Sequence, residues 1–481
     1  MHLIEVLPLA HALVAREDLP IPAWLFAWGA SIVLIVSFFA LSAGWREPRF
    51  ESERWRALGA GVSRALIGLP AQILGGALGA FLLGLAVYAG LKGTEAPDRN
   101  FAVPFVFITC WLGFAALSVV FGNVFKLFNP WRAVGRAVGG AFEAIAGQRF
   151  AHLAYPRRLG RWPAALGLVA FVWLEVVYGV SGGVAVGVSP HATAVAALAY
   201  SAYTLAMMAV FGVEEWCERG EVFSVYFGMF SRLGFLGVSD GRLGVRRPFS
   251  AAGRWASVPG SAAVVIASIG TTSFDGAQEG AFKGAIESTF KWLLDRSVEP
   301  TTALRLTDTL WILLTVLGVG LVYLIGVRGM STVKGAPSLQ KLTAGFAHTL
   351  IPIAFAYLVA HYFSLFVFQE QAQFTYLLSD PLGTATTDLF GTAHAPLHLG
   401  LFQIGTDEGG IDYKVLSSNA VWYVQVGALV VGHVIGLTLA HDRATAYWGD
   451  YRQAARSQYW MLAVMVAFTC FGLYLLSVAN G

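Results

Sequence analysis

The chain has 481 residues, 56% of them hydrophobic and only 13% charged, with a mean hydropathy of +0.63. That is more apolar surface than a water-soluble domain can bury, which excludes an ordinary soluble enzyme. A net charge of +3 gives no support to nucleic-acid binding, and the three cysteines (Cys110, Cys217 and Cys470) have no paired or metal-ligand spacing.

In chain order, Met1 to Pro22 makes a poor secretory signal, because it lacks a basic first segment and only Val6 to Ala10 offers an apolar core. Cleavage before His11 would create an amine and ring able to chelate copper. Uncleaved, His11 is a surface histidine on a terminus. Hydropathy then predicts about ten spans, each near the ~20 residues that a bilayer demands apart from a short sixth. They fall at roughly 23–43, 65–90, 103–125, 163–188, 192–212, 256–271, 307–327, 342–368, 418–440 and 459–478. Most of the 32 Lys and Arg residues lie in the connections after spans one, three, five, seven and nine. The positive-inside rule puts those connections in the cytoplasm and both termini outside. The expected fold is an all-α polytopic integral membrane protein, with an outer segment over 1–22 and one transmembrane helical domain over 23–481.

Two connections are long. Residues 213–255 contain EVFSVYFGMFSRLGFLG, too aromatic for a solvated loop, and are expected to lie at the cytoplasmic interface as an amphipathic or re-entrant piece. Residues 369–419 hold SDPLG, two histidines (His394 and His398) and the acidic residues Asp380, Asp388, Asp407, Glu408 and Asp412, and are expected to fold as an outer cap. Ala281 to Asp295 suggests a further external amphipathic helix. No internal repeat with convincing residue matches is present.

The candidate chemistry centres on two spans. AGFAHTLIPIAFAYLVAHYFSLFVFQEQ carries His348 and His361, and WYVQVGALVVGHVIGLTLAHDR carries Gln425, His433 and His441. Ionisable side chains in hydrocarbon are costly, so each is a functional candidate. Counted along the helices, His348 and His433 reach similar depth, whereas His361 lies about 20 Å beyond His348 and belongs with the outer cap. Pro352 cannot donate to the His348 carbonyl, which frees an acceptor beside that imidazole. Glu175, mid-membrane in FVWLEVVYGVSGG, would complete a two-His, one-carboxylate metal site with His348 and His433 if span four packs against them. Interhelical hydrogen bonding, a proton relay and bis-histidine haem ligation are the alternatives for the same side chains.

Elsewhere, His441 with Asp442 and Arg443 suits anchoring at the cytoplasmic boundary. His191 reads as a loop residue. His394 and His398 have the spacing of one helical face, although Pro396 stands between them. With His11, His191 and His361 they put five of the ten histidines on the outer side, where copper or zinc could bind. Asp275 closes the sixth span in IGTTSFDG, either lining a cavity mouth or capping the next helix. Glu214, Glu215, Glu218 and Glu221 read as a solvated helix end. No Walker loop, dinucleotide fingerprint, HExxH or GxSxG is present.

At HALVAREDLPIPAWLFAW, FSVYFGMFSRLGF, AHTLIPIAFAYLVAHYFSLFVFQ and NAVWYVQVGALVVGHVIGLTLAHDRA, the chain resembles a family of bacterial multispanning membrane proteins labelled fenitrothion hydrolase. The resemblance implies a bacterial cytoplasmic membrane location, hydrolysis of a lipophilic phosphotriester and a bound metal. Such hydrolysis needs a metal-bound water or a carboxylate base, with a Lewis acid at the phosphoryl oxygen. Glu175 and Asp275 are the candidate carboxylates. Candidate ligands are His361, His394, His398 and His11 at the outer face, or His348, His433 and Glu175 deeper. The expected partners are the lipid bilayer, a lipophilic small molecule or metal ion, and other membrane subunits, with no nucleic acid. The rival functions are a transporter or proton or metal-ion pathway through the same histidines, and a haem-binding or structural subunit of a membrane complex.

Overall fold

The computed structural model describes residues 23–50, 55–148, 151–181, 184–255, 258–278, 280–400 and 402–479. The expected N-terminal segment, with His11, lies outside them. The principal helices are α1 (Ala23–Gly44), α2 (Leu69–Lys92), α3 (Ala102–Phe121), α4 (Pro130–Ala146), α5 (Trp162–Tyr178), α6 (Pro190–Phe211) and α7 (Val222–Phe230). They continue with α8 (Ser261–Gln278), α9 (Lys283–Leu294), α10 (Pro300–Met330), α11 (Leu339–Leu377), α12 (Ser418–Trp448) and α13 (Tyr451–Ala479). Strands among the described residues are short and lie in connections. They are β1 (Trp55–Ala57), β2 (Val180–Ser181), β3 (Val184–Ala185), β4 (Leu236–Ser239), β5 (Arg242–Arg246), β6 (Leu397–Leu399) and β7 (Phe402–Ile404). β1 joins the β4–β5 hairpin with Trp55 opposite Arg246 and Leu236 opposite Val245, giving the order β1-β5-β4.

The chain is all-α, and its helix starts follow from sequence. Asn129, Ser189, Ser338 and Ser417 each accept a backbone N–H from the first turn of α4, α6, α11 and α12. Pro130 and Pro190 follow directly, where a missing N–H costs nothing. Glu299 caps α10 in the same way, accepting from Thr301 N at 2.9 Å and Thr302 N at 2.8 Å. These two amides hold its carboxyl down from the usual 4.5 to about 2. A depressed acid stabilises the fold above its unfolded value and loses that contribution as pH falls through the folded one. Amide exchange at Thr301 and Thr302 should therefore lose protection between about pH 4.5 and pH 2. In Glu299→Gln the protection should no longer vary over that window.

Among the described residues, eight helical stretches are long and apolar enough to cross a membrane. These are α1, 60–92 including α2, α3, α6, α10, α11, α12 and the apolar part of α13. The other two expected spans fall on α5, a shorter apolar helix, and on α8. On α10, Leu310, Leu313, Leu317, Leu321 and Leu324 are exposed at helical spacing, while Thr307, Asp308 and Thr315 are buried. Such an apolar outside and polar inside would be a liability in water and is the natural arrangement in lipid. The chain is a multi-pass membrane protein.

α11 packs along α12, α12 on α13, and α1 against both α12 and α13. α8 is enclosed by α5, α10, α11 and α13. Small residues allow the close approach of α11 and α12: a Cβ on Gly432 would lie 2.4 Å from the Ala356 Cβ, and one on Gly436 would lie 2.8 Å from the Thr349 carbonyl oxygen.

Several connections differ from expectation. α5 ends at Tyr178, and from Gly179 the chain leaves the helix for β2. α8 runs on to Gln278, so IGTTSFDG lies within a helix, buried apart from Gly276, and Asp275 does not cap α9, which starts after Phe282. Its small residues admit neighbours, and the Thr271 hydroxyl donates within the helix to the Ala267 carbonyl at 2.8 Å. The aromatic run in 213–255 is not amphipathic. As α7 it is buried on all sides from Val225 to Phe230, against α3, α5 and α11. Helical structure continues past 368 to Leu377, and the cap then folds through Asp380, which accepts from Ala385 N and Thr387 Oγ1, into the β6–β7 hairpin. The expected amphipathic helix at 281–295 is α9.

Candidate functional site

α8 and α11 lie side by side, and their contact is polar at one level. His361 Nε2 is 2.8 Å from Asp275 Oδ2, the Tyr362 hydroxyl donates to the same oxygen at 2.5 Å, and Gln278 Nε2 donates to Oδ1 at 2.9 Å. Consecutive residues His361 and Tyr362 both reach Asp275 because α11 presents this edge to α8. Their rings meet edge to face with centroids 4.4 Å apart, and Trp111 of α3 packs edge to face on Tyr362 at 5.0 Å. Asp275 is 2% exposed and Tyr362 3%. Gly276 keeps the helices close, since a Cβ there would stand 3.3 Å from His361 Nδ1.

Glu175 completes the cluster from the π-helical last turn of α5. Its carboxylate is near enough to Asp275 for the two charges to interact, and Tyr362 lies in the field of both. Glu175 Oε2 is buried with no hydrogen-bond partner among the described residues. The arrangement therefore joins two acids, an imidazole and a phenol in one buried group able to take up, hold and pass a proton.

A further carboxylate lies on the same helix. Glu370 is nine residues beyond His361, about 13 Å along the axis, and its Oε2 accepts from Thr109 Oγ1 at 2.9 Å. Sequence reasoning missed Glu370 because the apolar run stops just before it. It also passed over Tyr362, which stands next to an intramembrane histidine and could have been weighed with it.

The other expected site residues are not brought into this group. His361 belongs with Asp275 inside the bundle and not with the cap. His433 and His348 do not share a level. His433 faces Tyr357, with ring centroids 6.2 Å apart, and its Nδ1 lies 2.7 Å from the Leu429 carbonyl. His348 sits at the other end of α11 beside Arg443, which donates to the Gly253 carbonyl at 2.7 Å. Its own carbonyl is not left open by Pro352, because a 3-10 turn over Ala347–Leu350 gives it the Ile351 N–H. A guanidinium beside His348 also opposes a cation there. His394 and His398 are exposed in the cap, and His398 lies in β6 opposite Gln403, so the two never share a helical face. Among the described residues, no group of three or more His, Cys, Asp or Glu side chains is placed to hold a metal ion. The donor sets anticipated for copper or zinc are thus not assembled there.

His191 is exposed in the first turn of α6. His441 and Asp442 clasp the chain after α1. His441 Nε2 lies 2.9 Å from the Trp45 carbonyl, and Asp442 accepts from Trp45 Nε1 at 2.9 Å, Arg49 N at 2.5 Å and Phe50 N at 3.1 Å. Asp442→Ala should cost about 2 kcal/mol by stranding those donors and speed tryptic cutting at Arg46 and Arg49. Unchanged cutting would mean that the clasp holds nothing.

The acidic cluster divides. Glu214 pairs with Arg132 at 2.8 Å and Glu215 with Arg219 at 3.1 Å at the surface. Glu221 is fully buried. It accepts from Phe223 N and Ser224 N at the start of α7, from the Tyr200 hydroxyl at 2.6 Å and from Asn129 Nδ2 at 3.0 Å. A buried aromatic helix needs a capped start, which is the signal that could have separated Glu221 from its neighbours.

Compared with known proteins, the chain matches no family model, no curated protein and no solved structure.

Proposed function

We propose that this protein moves protons within the membrane, with Asp275, His361, Tyr362 and Glu175 as its exchange centre. The observation that carries the proposal is the Asp275–His361 pair at 2.8 Å inside the helical bundle, with the partnerless oxygen of Glu175 beside it. Ionisable groups at such a position mark proton relays and ion pathways more often than packing. α11 carries a succession of titratable groups: His348, Tyr357 opposite His433, then His361 with Tyr362, then Glu370. Steps of about 13 Å between some of them require bridging water. The chain crosses the bacterial cytoplasmic membrane about ten times, with α5 and α8 as crossings and both termini outside, as the distribution of Lys and Arg favours.

A second reading rests on the same dyad. A carboxylate that orients an imidazole is also the arrangement of a general base, which suits the phosphotriester hydrolysis that the family resemblance implies. In that reading His361 takes the proton from water, Asp275 holds the imidazole and Glu175 is the second acid. A lipophilic ester would enter from the bilayer.

Vesicles holding the purified protein and a trapped pH dye, driven by a potassium gradient with valinomycin, test the two together. Proton entry above that of empty vesicles, lost in His361→Gln, supports the relay. Tight vesicles with hydrolysis of a lipophilic phosphotriester support the base. Tight vesicles without hydrolysis sink both.

A further inference from the structure

Three buried polar atoms close to the Asp275 group have no hydrogen-bond partner among the described residues. Besides Glu175 Oε2 they are Trp111 Nε1 on α3 and Ser268 Oγ on α8. Packing brings them to one neighbourhood. Trp111 meets Tyr362 edge to face at 5.0 Å and Phe171, one turn before Glu175 on α5, at 5.4 Å. Ser268 lies seven residues before Asp275, so it occupies the same face of α8 about 10 Å nearer the start of that helix. Tyr226 of α7 is 1% exposed and stands beside both Trp111 and Ser268, and its hydroxyl is near enough to Tyr362 for the two to interact. Trp111 and Glu175 also share a backbone feature. Each stands in a π-helical stretch, Phe105–Gly113 and Leu174–Tyr178, a widening of the helix that is frequent at functional sites.

What these atoms can hold follows from their chemistry. Trp111 offers an N–H that only donates, Glu175 Oε2 is a carboxylate oxygen that accepts, and the Ser268 and Tyr226 hydroxyls do either. An indole N–H repels a metal cation and a carboxylate repels an anion, which leaves a small neutral molecule that both donates and accepts. A buried water typically makes about three hydrogen bonds to polar groups that the protein itself leaves unmatched. Leaving each of those groups dry is the costlier state.

We infer that Trp111, Ser268, Tyr226 and Glu175 bind a water molecule, and that this water is the inner limb of the proton path. The second half of the inference rests on the proton reading and deepens it. α8 begins just after the arginine-rich segment 213–255, which the positive-inside rule puts in the cytoplasm. Ser268 therefore lies between Asp275 and that side. A proton arriving from there is accepted by the water as the water releases another to Glu175 Oε2. The water is left unchanged, the carboxylate is the group protonated, and the proton passes on to Asp275 and His361. Trp111 moves no proton and is a positioning residue.

The test keeps the two halves apart. The full chain in nanodiscs is equilibrated in oxygen-18 water and exposed briefly to an X-ray beam, which makes hydroxyl radicals wherever water is bound, and mass spectrometry locates the label. Trp216 and Tyr323 are internal controls. Trp216 is as buried as Trp111, at 1% exposure, but its Nε1 donates to Thr204 Oγ1 at 2.7 Å, and the buried Tyr323 hydroxyl donates to the Thr343 carbonyl at 2.6 Å. Label on Trp111 and Tyr226 should exceed that on the controls several-fold, and label on Trp111 should fall several-fold in Ser268→Ala and in Tyr226→Phe. Equal labelling of the two pairs, or Trp111 labelling unaltered in both variants, overturns the water site whatever the flux. In vesicles the same variants should carry protons at least tenfold more slowly than the parent. A conducting parent with both variants within about twofold of it overturns the inner limb. Labelled water in a parent that carries no protons means that the proton reading has failed while the water site stands.

Discussion

Asp275→Asn is expected to slow whatever reaction the site performs by roughly 10²-fold or more, while lowering the stability of the fold by about 1 kcal/mol. The reason lies in how its two oxygens are used. Oδ2 lies against both His361 and Tyr362, and Oδ1 accepts from Gln278. An asparagine can place its carbonyl where Oδ2 stands and its NH₂ where Oδ1 stands. Gln278 then turns its own amide to accept, and the hydrogen bonds survive. What disappears is the negative charge facing His361, and with it the stabilisation of imidazolium when a proton arrives. Proton flux or hydrolysis, measured beside thermal unfolding, separates the two effects. If the variant retains a rate within a factor of about three of the parent, Asp275 is a packing residue and the site lies elsewhere. Tyr362→Phe should act more weakly, since it removes one donor and leaves the contact between Asp275 and His361.

The largest structural effect is expected at Glu221. Replacement by alanine takes the acceptor from Phe223 N, Ser224 N and the Tyr200 hydroxyl, and from one of the two N–H groups of Asn129 Nδ2, which keeps only Ser224 Oγ at 2.8 Å. That should cost roughly 3–5 kcal/mol and loosen α7, whose start has no other side-chain cap. Glu221→Gln should cost less, about 1–2 kcal/mol. Its NH₂ must face either Phe223 N or Ser224 N, whereas the Tyr200 hydroxyl can rotate and accept. Unfolding in a graded detergent series, with exchange at the α7 amides, reads both. Equal stability of the alanine variant and the parent would show that the cap is replaceable.

Much of the architecture was legible because lipid imposes one dominant rule, an apolar stretch of fixed length, and α1, α6, α10, α12 and α13 obey it plainly. Asp275, Glu175 and His361 were each marked as out of place in hydrocarbon, but their assembly was not legible. Hydropathy gives depth along one helix and says nothing about which helix faces it. Depth alone therefore groups His361 with the cap above it, whereas its partner Asp275 lies across the interface on α8. The pairing of His348 with His433 assumed an unbroken helix through Pro352 and straight packing, and the 3-10 turn at Ala347–Leu350 with the Gly432 and Gly436 contacts sets another register. For α8, polar residues lowered the average hydropathy just where the buried site lies. The same chemistry that makes IGTTSFDG interesting made its span look finished.

The clasp of Asp442 and His441 on Trp45–Phe50 also bears on how the protein is made. The bonded partners stand 397 residues apart in the chain, and α1 packs on α12 and α13. At ~5–20 residues per second of synthesis, roughly 20–80 s separate the emergence of Trp45 from that of Asp442. Of the described helices, the first to leave the ribosome is among the last to reach its final neighbours. During that interval α1 waits in the bilayer without its destined contacts, a substrate for insertion chaperones and for membrane proteases.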